Sequence, residues 1–249
     1  MTNSENTAQE VVPLALHPLA IERHRARDAA GKHVPDAALG AALQAMVEGR
    51  ALAEQASHAH AAIMADPLMP AAGRLVRARK TTGSLAEVIV KKLDVARVKL
   101  TTELHNIQRD TSRLPPSTSP ASIAIERQTA DVLRSMPDAD RRKVIMQAIE
   151  RDDESVLSSL FSGPAFVVGL DDKTREAYRQ QFRKKRWPEV VERETRLRAA
   201  LADIERAGGA TVAWVERLFS ASPIEKLVAA SEAATSAVAA AKASEGDGA

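Results

Sequence analysis

Between residues 85 and 107 apolar side chains recur at Leu85, Ile89, Leu93, Ala96, Leu100, Leu104 and Ile107, in steps of 4, 4, 3, 4, 4 and 3. The repeat is an eleven-residue period, which keeps a helical stripe nearly straight with little left-handed supercoil. Such a stripe calls for a partner helix, in the same chain or in another copy. Ser84 and Glu87 at its head form an S-x-x-E capping box, which predicts a helix start there.

The rest of the chain reads as helices separated by proline and glycine. Residues 1–35 carry Pro13, Pro18, Gly31 and Pro35 around a basic cluster (Arg23, His24, Arg25, Arg27) and read as an extended or partly disordered arm. Asp36 offers an N-cap for a helix reaching Pro67. Gly40 and Gly49 inside it cost about 1 kcal/mol each relative to Ala, which packing must offset. Residues 36–113 therefore form a long-helix hairpin or coiled-coil-like region. The stretch LPPSTSPAS (114–122) reads as a linker, because its prolines stop a helix and its Ser/Thr content keeps it extended. The main domain boundary falls there.

Residues 123–243 read as a bundle of shorter helices: about 122–136, then 138–151 after Pro137, then about 154–161. Another is capped by Asp171 or Asp172 and runs to Trp187, and Pro188 suits the first position of the next. Val190, Leu197, Leu201 and Ile204 line one face of that last helix. Gly208-Gly209 interrupts it, although Val212, Val215 and Phe219 hold the same phase. A turn at the glycines is favoured over a weakened continuous helix. Ser222-Pro223-Ile224-Glu225 starts a final helix, and 244–249 is a frayed tail. The fold class is all-α: a long-helix N-terminal part and a bundle of shorter helices, joined by a Pro/Ser-rich linker.

Composition agrees with this picture. Aromatics are 3% of the 249 residues and much of the hydrophobic 45% is Ala, which suits closely packed helices around a thin core. With 35 basic and 33 acidic residues the net charge of +2 argues for no particular partner. The absence of cysteine excludes disulfides, thiolate metal sites and a Cys nucleophile. The N-terminus has no basic region followed by an apolar core, so a secretory signal is not expected. The longest uncharged stretch, 155–170, is broken by Gly163, Pro164 and Gly169, so no membrane span is expected and the expected location is cytoplasmic.

Local chemistry is sparse. From Arg74 to Lys99, eight cations (Arg74, Arg77, Arg79, Lys80, Lys91, Lys92, Arg97, Lys99) oppose only Glu87 and Asp94. The preferred reading is a solvated helix face; the alternatives are contact with a polyanion, nucleic acid included, or with a protein partner. No aromatic residues interleave for base stacking. Arg183, Lys184, Lys185 and Arg186 end their helix and complement its dipole, with polyanion contact again the alternative. In VLSSLFSGPAFVVGL (156–170), Phe161 and Phe166 read as core, or else as an exposed docking loop. His58 and His60 diverge on a helix. Glu54 has the right spacing to His58, but nothing else joins them, so no metal is expected. Asp152-Asp153-Glu154 reads as a helix boundary. No G-x-S-x-G, P-loop or H-E-x-x-H is present, and neither an enzyme nor a cofactor nor a small-molecule substrate is expected.

Residues 132–182 contain a basic–apolar helix (Arg141 to Glu150), an acidic turn (Asp152 to Glu154), the segment Leu157 to Phe161, a Gly-Pro apolar loop (Gly163 to Phe166) and Gly169-Leu170 before a polar helix. This order resembles uncharacterised helical proteins encoded among phage and prophage structural genes. The resemblance covers about a fifth of the chain and implies a virion-associated or assembly role. The expectation is a non-enzymatic helical structural or interaction protein that self-associates or joins a larger assembly. Its partner contacts would lie at Leu85, Ile89, Leu93, Leu100, Leu104, Ile107, Phe161 and Phe166. The alternative is a nucleic-acid-binding accessory protein, with polyanion contacts at Arg74, Arg77, Lys80, Lys91, Lys92 and Arg183 to Arg186.

Overall fold

The computed structural model describes residues 12–112 and 119–220, together with Lys226, Ala230, Ala233, Ala234 and Ser236. Most of the final helix expected from Ser222, the tail and most of the 114–122 linker lie outside the described residues; the five described residues from Lys226 to Ser236 are helical. From residue 12 to 220, eight α-helices are formed by the described residues: α1 (Leu19–Glu22), α2 (Ala37–Met64), α3 (Ala71–Ser112), α4 (Pro120–Ser135), α5 (Asp138–Arg151), α6 (Glu154–Ser162), α7 (Asp172–Arg186) and α8 (Pro188–Phe219). Two short 3-10 turns stand at Leu14–Leu16 and Ala165–Val168. Among the described residues there is no strand, only an isolated bridge between Arg27 and His33.

The chain forms two compact units, Met1–Thr101 with Leu197–Ala249, and Thr102–Arg196. The expected boundary at 114–122 is therefore corrected. The chain passes from one unit to the other inside α3 and inside α8.

In the first unit α2 opens where expected, with the Asp36 carboxylate accepting from the Ala38 and Leu39 backbone amides. Its buried face (Leu39, Ala42, Ala45, Met46, Gly49, Ala53, Ala56) is mostly small, so neighbours come close. A Cβ on Gly49 would stand 3.4 Å from both Ile89 of α3 and Leu16 of the arm. The glycine's helix penalty is thus offset by contact. The arm, expected to be extended, is docked from Pro13 onward: Leu16 and Ile21 are fully buried.

The capping box at Ser84 and Glu87 does not start a helix, since α3 already begins at Ala71, just after Pro70. The reason is visible in the burial pattern. Ala78, Thr82 and Ala86 are buried in phase with Ile89, Leu93, Ala96, Leu100, Leu104, Ile107 and Thr111, so burial carries the helix through the local signal. The same override corrects the turn expected at Gly208-Gly209. Helix α8 runs straight through, with Leu197, Ala200, Ile204, Ala207, Thr211, Trp214 and Val215 buried on one face.

In the second unit each helix opens on a local signal, although α4 begins at Pro120, inside the stretch expected to be linker. Ser119 caps α4 through the Ser122 amide, with Pro120 in the first turn. Asp152 closes α5 in the left-handed conformation, at φ 54°. Asp153 caps α6, and its Ser155 hydrogen bond, outweighing a smaller effect of burial, holds its carboxyl below the usual range. Asp171 caps α7, held low in the same way by Thr174. The core gathers Leu133, Ile145, Ile149, Leu157, Leu160 and Phe182. Gly169, at φ 73°, ends the Ala165–Val168 turn; a Cβ there would collide with the Arg141 guanidinium. No helix among the described residues is long and apolar enough to cross a membrane.

Candidate docking groove

Within the first unit, α2 and α3 form an antiparallel hairpin, fixed by the Lys92–Glu48 pair at 2.6 Å and the approach of Gly49 to Ile89. Along its outer side runs an open groove of about 480 Å³. Helix α2 contributes Ala41, Gln44, Ala45 and Glu48; the α3 wall is Val88, Lys91, Lys92, Val95, Ala96 and Lys99. Val88 and Val95 stand seven residues apart and so share a face. Both are exposed, Val95 at 57%.

Lys92 spans the groove to Glu48, and Gln44 donates to the other oxygen of that carboxylate at 2.8 Å. Both hydrogen bonds, with the charge of Lys92, hold the Glu48 carboxyl below its ordinary range. Lys92 is thereby neutralised. Lys91 and Lys99 are exposed and make no hydrogen bond or ion pair among the described residues. The groove therefore presents apolar side chains edged by two uncommitted cations.

The residues first expected to meet a partner have different fates. Ile89, Leu93, Leu100, Leu104 and Ile107 are buried and Leu85 is half-buried, so the stripe is covered within the chain and is not an open surface. Phe161 is half-buried, 5.8 Å between ring centroids from Phe182, with the Arg179 guanidinium over its ring at 5.3 Å. Phe166, read as core in preference to docking loop, is 68% exposed, because the Gly163-Pro164 entry and the left-handed Gly169 turn the Ala165–Val168 segment so that Ala165 and Val168 are buried instead.

The expected polyanion contacts also divide. Arg74 donates to the Met64 carbonyl at 2.8 Å and is half-buried. Arg183 is corrected outright. It is 2% exposed and donates to Glu194 at 2.5 Å and to Thr111 at 2.8 Å, so no external anion reaches it. Lys185 donates to the Ile149 and Glu150 carbonyls at the end of α5. Arg186 pairs with Asp152 at 3.1 Å and lies over the Phe182 and Trp187 rings. Arg77, Lys80, Lys91, Lys99 and Lys184 remain exposed without a partner among the described residues.

Two further features had no sequence signal. Asp203 of α8 is buried and accepts from Arg23 at 2.7 Å, faces His24 at 2.8 Å, and takes a third bond from Arg206. Burial alone would raise this carboxyl, but the bonds from His24, Arg23 and Arg206 outweigh it and leave it below its ordinary value. The cluster ties the arm to α8. Around the α2–α3 turn, the Phe219 ring stands edge-on to His60 at 5.5 Å and beneath Arg79 at 5.3 Å. Glu54, considered with His58, is paired with Arg50 instead, at 2.9 Å. No grouping of three or more His, Asp or Glu suited to a metal occurs among the described residues.

No family model, curated protein or solved structure matches the chain.

Proposed function

We propose that this chain is a non-enzymatic helical interaction protein that works in a larger assembly, using the α2–α3 groove to dock a partner helix. The observation that supports this most is the groove itself: exposed Val88 and Val95 edged by the unpartnered Lys91 and Lys99. A helix with small apolar residues on one face and carboxylates beside them complements it in shape and charge. The resemblance of residues 132–182 to helical proteins encoded among phage structural genes supports reading that assembly as a virion or a step in its construction. The nucleic-acid reading has less to rest on. Lys92, Arg183, Lys185 and Arg186 are committed to protein acceptors, and Arg77, Lys80, Lys91 and Lys99, which share one face of α3, have no Phe, Tyr or Trp on that helix for base stacking.

The test is a fluorescence-anisotropy titration of the full chain with a helical peptide whose alanine/valine face is flanked by glutamates. Binding is expected, weakening as salt rises and lost in Val88→Asp/Val95→Asp. Absence of binding at millimolar protein, or binding unchanged in that variant, removes the reading.

A further inference from the structure

The exposed face of α8 carries the chemistry that would fill the groove. Glu205, Gly209, Val212 and Glu216 follow one another in steps of 4, 3 and 4, so they lie on one side of the helix, and all are exposed. The opposite side holds Ala207, Thr211 and Trp214, which are buried. Glu205 and Glu216 make no hydrogen bond or ion pair among the described residues.

The two patterns are complementary. On α3, Lys91 and Lys99 flank Val95; on α8, Glu205 and Glu216 flank Val212. Eight residues of helix rise about 12 Å and eleven about 16 Å, and the gap of roughly 4 Å is within the reach of two lysine stems. Gly209 adds a reason for close approach: nothing lies within 4 Å of where its Cβ would be, so a second helix can come near the backbone there. The acidic face cannot reach the groove of its own molecule, because α8 turns its other face inward. A groove that receives this face therefore belongs to another molecule.

We propose that the groove is occupied by a second copy of this chain, which seats the Glu205–Glu216 face of α8 against Val88 and Val95. This rests on the reading of the groove as a docking surface and names its occupant. Exposed ion pairs contribute little individually, so they set register and salt sensitivity, while the small apolar contact makes the association weak.

Sedimentation velocity of the full chain over a concentration series at low salt tests it. Lys91→Glu/Lys99→Glu and Glu205→Lys/Glu216→Lys are expected to keep wild-type helicity by circular dichroism, since all four side chains are exposed and unpartnered. Each variant alone should stay monomeric where the wild type associates. Their equimolar mixture should recover association at least tenfold tighter than either variant alone. Wild-type-like association of either variant, or a mixture that does not recover, overturns the proposal. A wild-type chain that stays monomeric yet binds the acidic peptide overturns self-association and leaves the docking reading standing; one that does neither removes both.

Discussion

Arg183 donates to Glu194 at 2.5 Å with both side chains shut away from water, and a second bond from the same guanidinium reaches Thr111 at 2.8 Å. Removing one member of such a pair leaves the other charged and buried. Arg183→Met or Glu194→Gln alone should cost about 3–5 kcal/mol, whereas Arg183→Met/Glu194→Leu together should recover most of that loss. Urea unfolding of the three variants checks it; a double-variant cost equal to the sum of the two single costs would show that the pair is not coupled.

Asp203 gives the arm a pH dependence with a definite sign. Its folded carboxyl sits below the ordinary value despite burial, because His24, Arg23 and Arg206 bond to the charged form. The unfolded group titrates near pH 4, so its stabilisation is fully present above about pH 4 and is lost as pH falls through the folded pKa. Urea midpoints should therefore drop more steeply in acid for the wild type than for Asp203→Asn. At neutral pH that variant should be less stable by about 2 kcal/mol, for loss of charge-assisted hydrogen bonds.

Gly209 is exposed, helical and has open space around its missing Cβ. Gly209→Ala should raise stability by about 0.5–1 kcal/mol in thermal melts, since the helix gains its best former at no steric cost. The same methyl should weaken self-association in sedimentation. A destabilised variant would show that the glycines act as a turn.

Thr82 is fully buried, and its hydroxyl has no hydrogen-bond partner among the described residues. Thr82→Val keeps the shape and removes the unpaired group, so it should be neutral or stabilise by about 1 kcal/mol in urea unfolding. A loss of stability would reveal a partner for that hydroxyl.

Helix ends were legible where either a polar cap or a proline met a change of phase. Asp36, Pro137, Asp171 and Pro188 all mark boundaries that the structure shows. Local signals misled where burial opposed them. The box at Ser84 and Glu87 lies inside a stripe that already runs from Ala78, and Gly208-Gly209 lies inside one running from Leu197 to Phe219. The groove was half visible, because Val88 and Val95 are apolar residues out of phase with the buried stripe. What hid it was the reading of Lys91, Lys92 and Lys99 as one basic face: pairing of Lys92 with Glu48 depends on α2, which spacing along α3 does not reveal. The Asp203 cluster joins Arg23 to a residue 180 positions away, and no local pattern encodes that.

The docking claim is tested most directly by valine-methyl NMR of the full chain as the acidic helical peptide is added. Shifts concentrated at Val88 and Val95 are expected, with Val132 and Val167 of the other unit unmoved. Shifts at Val132 and Val167 with Val88 and Val95 silent, or no shifts at all, would contradict it.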